Sequence, residues 1–443
     1  MTKILVAGIL AGCLLMIPAG ISEASYGLYA QRLLKDDHTV KITLTLISIF
    51  RLFSKIGSIS GSLVFSILAE IIGRKYTITA ISIPYIISCI TFQLTSTYMM
   101  GCVANFLTGF SIGGAYSILP IYIGEVATKS SRGRLISLLH TSFILGRFFV
   151  GAILGQFFIK NSLPVINFTT GVLAIFAAIL SIAFVTETPY FYLKKVKHEL
   201  VKISLQKVRR KNANYELELT EIQERKTFGI PDNGVGKGMF FKYKWLKPYL
   251  LLTCLYVLIW LSLFLTFSIP VRQTYYDANI DPEIKALVVG GVNLVSSLVI
   301  LLLIDKLGRK LSLMYSFAAI TGICLVFFVL KQSKAPLDVL FIIYPSISIA
   351  INIGVGPVPS VLLGEIFPLN QKMVCSGISN AVYFTLQAVM LALDELNLKY
   401  DSFPNIHVYV SFIVSTASVL IIKLFYIETK CKSLSEIERE LNR

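Results

Sequence analysis

The residues of this 443-residue chain that could do chemistry come in pairs. Glu70-Ile-Ile-Gly73-Arg74-Lys75 is matched by Asp305-Lys-Leu-Gly308-Arg309-Lys310. Gly124-Glu125, with Arg132 seven residues after the glutamate, is matched by Gly364-Glu365, with Lys372 seven after. Glu187-Thr188-Pro189 is matched by Glu428-Thr429-Lys430, and the three offsets are 235, 240 and 241 residues. Carboxylates beside guanidinium groups at these spacings suit ion pairing, in which an arginine fork takes a carboxylate through two hydrogen bonds. Bond-making chemistry has no comparable signal. There is no nucleophile elbow, zinc spacing or nucleotide loop, and Gly234-Val-Gly236-Lys-Gly238 lacks the strand–helix setting of a phosphate cradle. We assign Glu70, Arg74, Glu125, Arg132, Asp305, Arg309, Glu365 and Lys372 to a charged gate that locks one rim and breaks when that rim opens.

The elements that must position these clusters are apolar blocks. Hydrophobic residues make up 55% of the chain and charged residues 15%, against about 45–50% and a quarter in soluble domains. The excess lies in twelve blocks of about bilayer-spanning length, at 3–22, 42–69, 76–97, 100–124, 135–159, 165–186, 246–267, 284–304, 311–331, 338–363, 374–393 and 405–427. A soluble enzyme, a disordered chain and a secreted disulfide scaffold are excluded. The expected fold is an all-α polytopic membrane protein of twelve transmembrane helices in two six-helix bundles. The bundles are residues 1–186 and 246–427, joined by a linker with short helices at 187–245 and followed by a tail at 428–443. All paired motifs fall at the same ends of equivalent blocks, and two such halves in a parallel repeat are a transporter architecture. The apolar run after Lys3 also fits a signal peptide, but the first half needs it to reach six spans, so it is read as retained.

The net charge of +16 reflects topology. Lys and Arg gather in alternate loops and in the 187–247 segment, which holds 14 of them against 7 acidic residues. The positive-inside rule then puts both termini in the cytoplasm. The basic loops face anionic lipid, and no nucleic-acid partner is implied. The seven cysteines are scattered, without metal spacing.

Charges inside the blocks are functional hypotheses by default. Arg147 lies near the middle of block five and should face a cavity or a partner. Arg51 and Lys55 lie in block two, and Lys55 is placed to snorkel outward. Glu23, at the outer end of block one, reads as a proton carrier or as an interface carboxylate. His140 reads as a substrate ligand, a titrating group or a satisfied core residue.

With these motifs the chain resembles the sugar-porter branch of the major facilitator superfamily over essentially its whole length. The matches are Gly57 and Gly61 before Glu70-x-x-Gly73-Arg74-Lys75; Pro120-Ile-Tyr122-Ile-Gly124-Glu125 with Arg132-Gly133; Glu187-Thr-Pro189; Asn293 before Asp305; Gly354-Val-Gly356-Pro357-Val-Pro359 before Gly364-Glu365; and Glu428-Thr429-Lys430. Glu70 and the two Gly-Glu pairs look like those of insect facilitated trehalose transporters. The resemblance implies a carrier that holds one sugar midway across the membrane and exposes it alternately to each side, with the tenth span unwound at 354–359.

The family's sugar-binding pattern is altered here. Its two seventh-span glutamines fall on Ile259 and Trp260, and the asparagine beyond them on Leu265, leaving Ser262. The fifth-span glutamine falls on His140, the tenth-span tryptophan on Ser360, and the eleventh-span Asn-Trp pair on Tyr383-Phe384. The fourth-span arginine falls on Asn105. Asn293 remains, and Asn352 occupies the acidic position of the tenth span. The resemblance thus assigns substrate binding to Asn293, Asn352, His140, Trp260, Ser360 and Tyr383, with Trp260 as a stacking face for a pyranose. The expected activity is facilitative uniport of a sugar of the trehalose or hexose class at the plasma membrane, with no cofactor, metal or obligate protein partner and no catalysis. Proton-coupled symport through Glu23 or His140, and a transporter-like receptor that no longer transports, are the alternatives.

Overall fold

The computed structural model describes residues 3–34, 40–94, 97–150, 162–196, 198–209, 243–263, 282–333, 336, 340–400 and 406–441. These form helices and turns, with no strand among them. The first half contains α1 (Lys3–Leu34), α2 (Val40–Ile71), α3 (Arg74–Leu94), α4 (Tyr98–Val126), α5 (Arg132–Phe148) and α6 (Ser162–Phe184). Two short helices follow, α7 (Pro189–Lys194) and α8 (His198–Val208). The second half contains α9 (Tyr243–Ser262), α10 (Pro282–Leu307), α11 (Arg309–Gln332), a broken helix made of α12 (Ile343–Ala350) and α13 (Pro357–Glu365), α14 (Lys372–Tyr400) and α15 (Ile406–Phe425). A short α16 (Leu434–Leu441) ends the described chain. The chain is an all-helical, twelve-span, two-bundle membrane protein. Among the described residues nine helices are long and apolar enough to cross a bilayer, and α6 and α9 hold shorter apolar stretches.

Helices and apolar blocks have different ends. α1 runs on past residue 22 through Glu23, Gln31 and Arg32, because polar side chains that suit a helix stop the apolar stretch without stopping the hydrogen-bond ladder. The stretches at 151–161, 210–242 and 264–281, with Leu265 and the Gly-rich 234–238, lie outside the described residues.

Small residues set the closest packing. A methyl on Gly57 or Gly61 of α2 would strike the carbonyls of Phe106 or Phe110 in α4, and one on Gly109 or Gly113 would strike those of Ser54 or Ser58. Reciprocal small-xxx-small stripes are how helices gain van der Waals contact where lipid supplies no hydrophobic driving force. Between the halves, α2 lies along α14, α5 lies along α10, and α13 packs on α4 and α5.

The tenth span is not unwound, which corrects the expectation. Residues Ile351–Val355 form one π turn, closed by the Gly356 N–H donating to the Ile351 carbonyl at 2.8 Å, and α13 starts directly at Pro357. Pro357 opens the new helix, where the missing N–H costs no ladder bond. Ser316 of α11 splints the break, donating to the Ala350 carbonyl at 2.5 Å and accepting from Val355 N–H at 3.2 Å. With these bonds the backbone stays coiled through Ile351–Val355, as a helix in hydrocarbon favours.

Candidate functional site: a central cavity and a charged rim

The charged rim is built twice. Gly73 and Gly308 sit at φ +99° and +91°, a backbone region that favours glycine, at the turn into α3 and α11. A Cβ at Gly73 would collide with Glu187 and one at Gly308 with Glu428. The Glu187 carboxylate accepts from the backbone N–H of Arg74 at 2.8 Å and of Lys75 at 3.1 Å. The Glu428 carboxylate accepts from Arg309 N–H at 3.0 Å and Lys310 N–H at 3.1 Å. Each glutamate thus caps the N-terminus of a spanning helix, where free donors and the helix dipole favour an anion. Burial still pushes the Glu187 carboxyl above its ordinary value, against the pull of those N–H groups.

The side chains of the same arginines turn inward. Arg74 Nη2 donates to Glu125 at 3.3 Å, and Thr188 Oγ1 donates to the other oxygen of Glu125 at 2.6 Å. Arg309 Nη2 donates to Glu365 at 3.0 Å, and Thr429 Oγ1 to its other oxygen at 2.6 Å. Arg74 and Glu125 are fully buried and Arg309 and Glu365 nearly so. Glu70 pairs with Lys194 of α7 at 2.5 Å, and Asp305 with Arg309 at 3.3 Å. None of these bonds joins one six-helix half to the other.

Contacts between the halves are of another kind. Arg134 of α5 reaches Asp305 through its backbone N–H at 3.2 Å and its side chain at 3.5 Å. Arg132 is buried at the first residue of α5, and Lys372 at the first residue of α14, from where it acts on Glu125. Ser376 donates to the Ser117 carbonyl at 2.8 Å, and Asn380 to the Tyr116 carbonyl at 3.3 Å. Gly124 and Gly364 meet across the junction. The residues assigned to the gate therefore fall in two places: the buried arginine–glutamate pairs lie inside each half, while Arg134–Asp305, the approach of Lys372 to Glu125 and the facing glycines join the halves. Glu187, Thr188, Glu428 and Thr429 escaped the assignment of gate residues, although their 241-residue offset had marked them as a pair.

Beyond this closed rim lies a cavity of about 350 Å³, lined from both halves. His140, Asn293, Ser360 and Tyr383 line it. Asn352 is fully buried behind them in the π turn. His140 Nε2 lies 2.8 Å from Asn352 Oδ1, and Asn352 Nδ2 donates to Asn293 Oδ1 at 2.5 Å and to Ser296 Oγ at 2.8 Å. This chain of polar groups crosses from α5 to α10. Tyr116, Tyr256, Tyr383 and Phe384 form an aromatic wall, with Tyr256 and Tyr383 ring centres 5.0 Å apart. Ile259 lines the cavity, whereas its neighbour Trp260 lies outside the lining, because successive helical residues point about 100° apart. Lys55 also departs from expectation. It does not snorkel away but lines the cavity and pairs with Glu23 at 3.4 Å, which is the lower-cost place for an ammonium within a membrane.

Two repeated bundles around a central cavity, each with its own copy of the charged cluster at one end, define a membrane carrier of the two-bundle class. A sequence-family model described as "Sugar (and other) transporter" matches residues 4–441, and the chain belongs to that family. It is 27% identical over 412 residues to the facilitated trehalose transporter Tret1 of Bombyx mori, covering 87% of this chain and 77% of that one. It is 29% identical over 415 residues to the solute carrier family 2 facilitated glucose transporter member 7 of Mus musculus, covering 86% and 77%. The fold matches the proton:xylose symporter XylE bound to 6-bromo-6-deoxy-D-glucose with TM-score 0.79 at 18% identity, over 99% of this chain and 98% of that one. An inward-open XylE from E. coli matches with TM-score 0.68, also at 18% identity, over 99% of both.

Proposed function

We propose that the chain is a facilitative sugar carrier of the plasma membrane, working by alternating access with both termini in the cytoplasm. The two moving units are residues 1–186 and 246–427, with 187–245 as linker and 428–443 as tail. The observation that carries this reading is the polar chain His140–Asn352–Asn293, which spans the two halves at the cavity wall. Groups contributed by both halves can register a solute and the relative position of the bundles at once. Asn293, His140, Ser360 and Tyr383 form the substrate wall, with Asn352 behind it holding His140 and Asn293 in place and Trp260 outside it. The trehalose and glucose transporters among the relatives support a sugar as the substrate. The clustered Lys and Arg of the closed rim support a cytoplasmic position for it, with the cavity facing outward.

Uptake of labelled trehalose and glucose, in cells lacking their own hexose transporters and with surface expression verified, tests this. Saturable uptake of a sugar is expected. No uptake of any sugar or sugar derivative at full surface expression would overturn it in favour of a receptor. A second reading, proton-coupled symport, is favoured by Glu23 in the cavity wall. Flux that rises as external pH falls, and loses that rise in Glu23→Gln, would select it over uniport.

A further inference from the structure

We infer that the cavity takes a solute with one negative charge, a hexose-sized sugar acid, whose carboxylate is held by Arg147; this rests on the carrier reading above. The cavity wall carries Lys55 and Arg147 against Glu23, its one carboxylate among the described lining residues. Glu23 is already paired with Lys55, and Arg51, Lys55 and Arg147 all act on it through space. Cations outnumber the carboxylate, so the wall is electropositive before any substrate enters.

Arg147 carries the excess. It lies on α5, open to the cavity, with no carboxylate within ion-pair distance among the described residues. Its nearest described companion is the Phe143 ring, with the guanidinium carbon 6.0 Å from the ring centre. An arginine at membrane depth costs roughly 2.5–3.5 kcal/mol on insertion scales unless something compensates it. A planar carboxylate, bound through two parallel hydrogen bonds, is the ligand a free guanidinium fork fits best.

The neutral part of the wall points the same way. At the α5–α10 end of the wall the polar groups bind one another: Asn352 spends its amide on Asn293 and Ser296, and its carbonyl on His140. A neutral sugar would find few open donors at that end. Arg147 stands two helical turns from His140, about 10 Å along α5, and helical side chains lean back toward the N-terminus. A pyranose can therefore rest against Asn293, Ser360 and the aromatic wall with its carboxylate directed to Arg147.

The test is uptake of labelled glucuronate beside labelled glucose, by the full chain, at verified surface expression. Glucuronate is expected to be taken up with a specificity at least about tenfold higher than glucose, the size of one favourable ion pair. Arg147→Gln should lose about that factor for glucuronate, while Arg147→Lys, which keeps the charge, should retain most of it; this rescue separates charge recognition from misfolding. Glucose uptake equal to or better than glucuronate uptake would overturn the inference and leave the sugar-carrier reading standing. Unchanged glucuronate uptake in Arg147→Gln would overturn it as well. Uptake of neither would overturn the inference, and the carrier reading with it only if trehalose and other sugars were not carried either.

Discussion

Gly124 and Gly364 hold equivalent positions in the two halves and touch each other at the closed rim. A methyl on Gly124 would lie 2.9 Å from the Gly364 carbonyl oxygen, and one on Gly364 would lie 2.7 Å from the Pro120 carbonyl oxygen. The helices ending in Glu125 and Glu365 can approach this closely only because neither carries a side chain there.

Closure should therefore be sensitive to bulk at this point. Gly124→Leu is expected to disfavour the closed rim by about 1–3 kcal/mol, moving the population of open conformers by roughly ten- to a hundredfold. A cysteine placed by Ser376→Cys, buried in the closed state, reports this through faster labelling from the rim side. Labelling at the unsubstituted rate would show that the glycines do not limit closure.

The buried pairs should behave as scaffolding. Arg309→Ala leaves Glu365 buried beside Thr429 alone and is expected to cost roughly 3–5 kcal/mol of stability. Thr429→Val, which removes one hydrogen bond and keeps the ion pair, should cost roughly 1–3 kcal/mol. Thermal unfolding in detergent measures both, and Arg74→Ala with Thr188→Val should repeat the pattern in the first half. A reversed order would show that the threonine, rather than the guanidinium, holds the glutamate.

Cavity substitutions separate two residues of similar standing in the sequence. Asn352→Ala removes the link between His140 and Asn293 and should weaken apparent substrate affinity by roughly tenfold. Trp260→Ala should leave affinity nearly unchanged, since the ring lies outside the lining. A strong affinity loss in Trp260→Ala would place the indole against the substrate.

The tail helix offers a pH readout. Ser433 and Glu436 form a capping box on α16, with Ser433 N–H donating to Glu436 at 2.6 Å and Glu436 N–H to Ser433 Oγ at 3.2 Å. The Ser433 N–H holds the Glu436 carboxyl below its ordinary value. The cap is therefore present at neutral pH and lost as pH falls below the ordinary glutamate value of about 4.3 and through the lowered one. Hydrogen exchange of residues 434–441 should quicken over that acid range and do so at neutral pH in Glu436→Ala. Exchange independent of pH in the intact chain, after correction for intrinsic rates, would remove the cap from the account.

Local patterns reveal repeated chemistry more readily than its partners. The spacing of Gly73-Arg74 and Gly308-Arg309 marked two equivalent turns, and block length marked the spans. Nothing local could show that Glu187 would cap a helix starting 113 residues earlier, since that depends on where α6 ends in space. Trp260 and Ile259 differ by one residue, a fifth to a third of a helical turn in register error, and α9 places Ile259 rather than Trp260 on the cavity. The π turn was hidden for a similar reason: Gly354-Val-Gly356-Pro357 announces a break, while Ser316 of a neighbouring helix decides that the break stays coiled. Lys55 looked lipid-directed until the position of Glu23 was known.

The confinement of each arginine–glutamate pair to a single half bears on how fast the molecule can cycle. A switch that had to pull Arg74 from Glu125 would pass through a state with bare charges in a poorly hydrated wall, and its activation barrier would rise accordingly. Here the contacts that part are a half-exposed arginine, the approach of buried Lys372 to Glu125, a few neutral hydrogen bonds and glycine surfaces. Water can replace these one at a time. Turnover can therefore be quick even though the frame that turns is held by deeply buried charges.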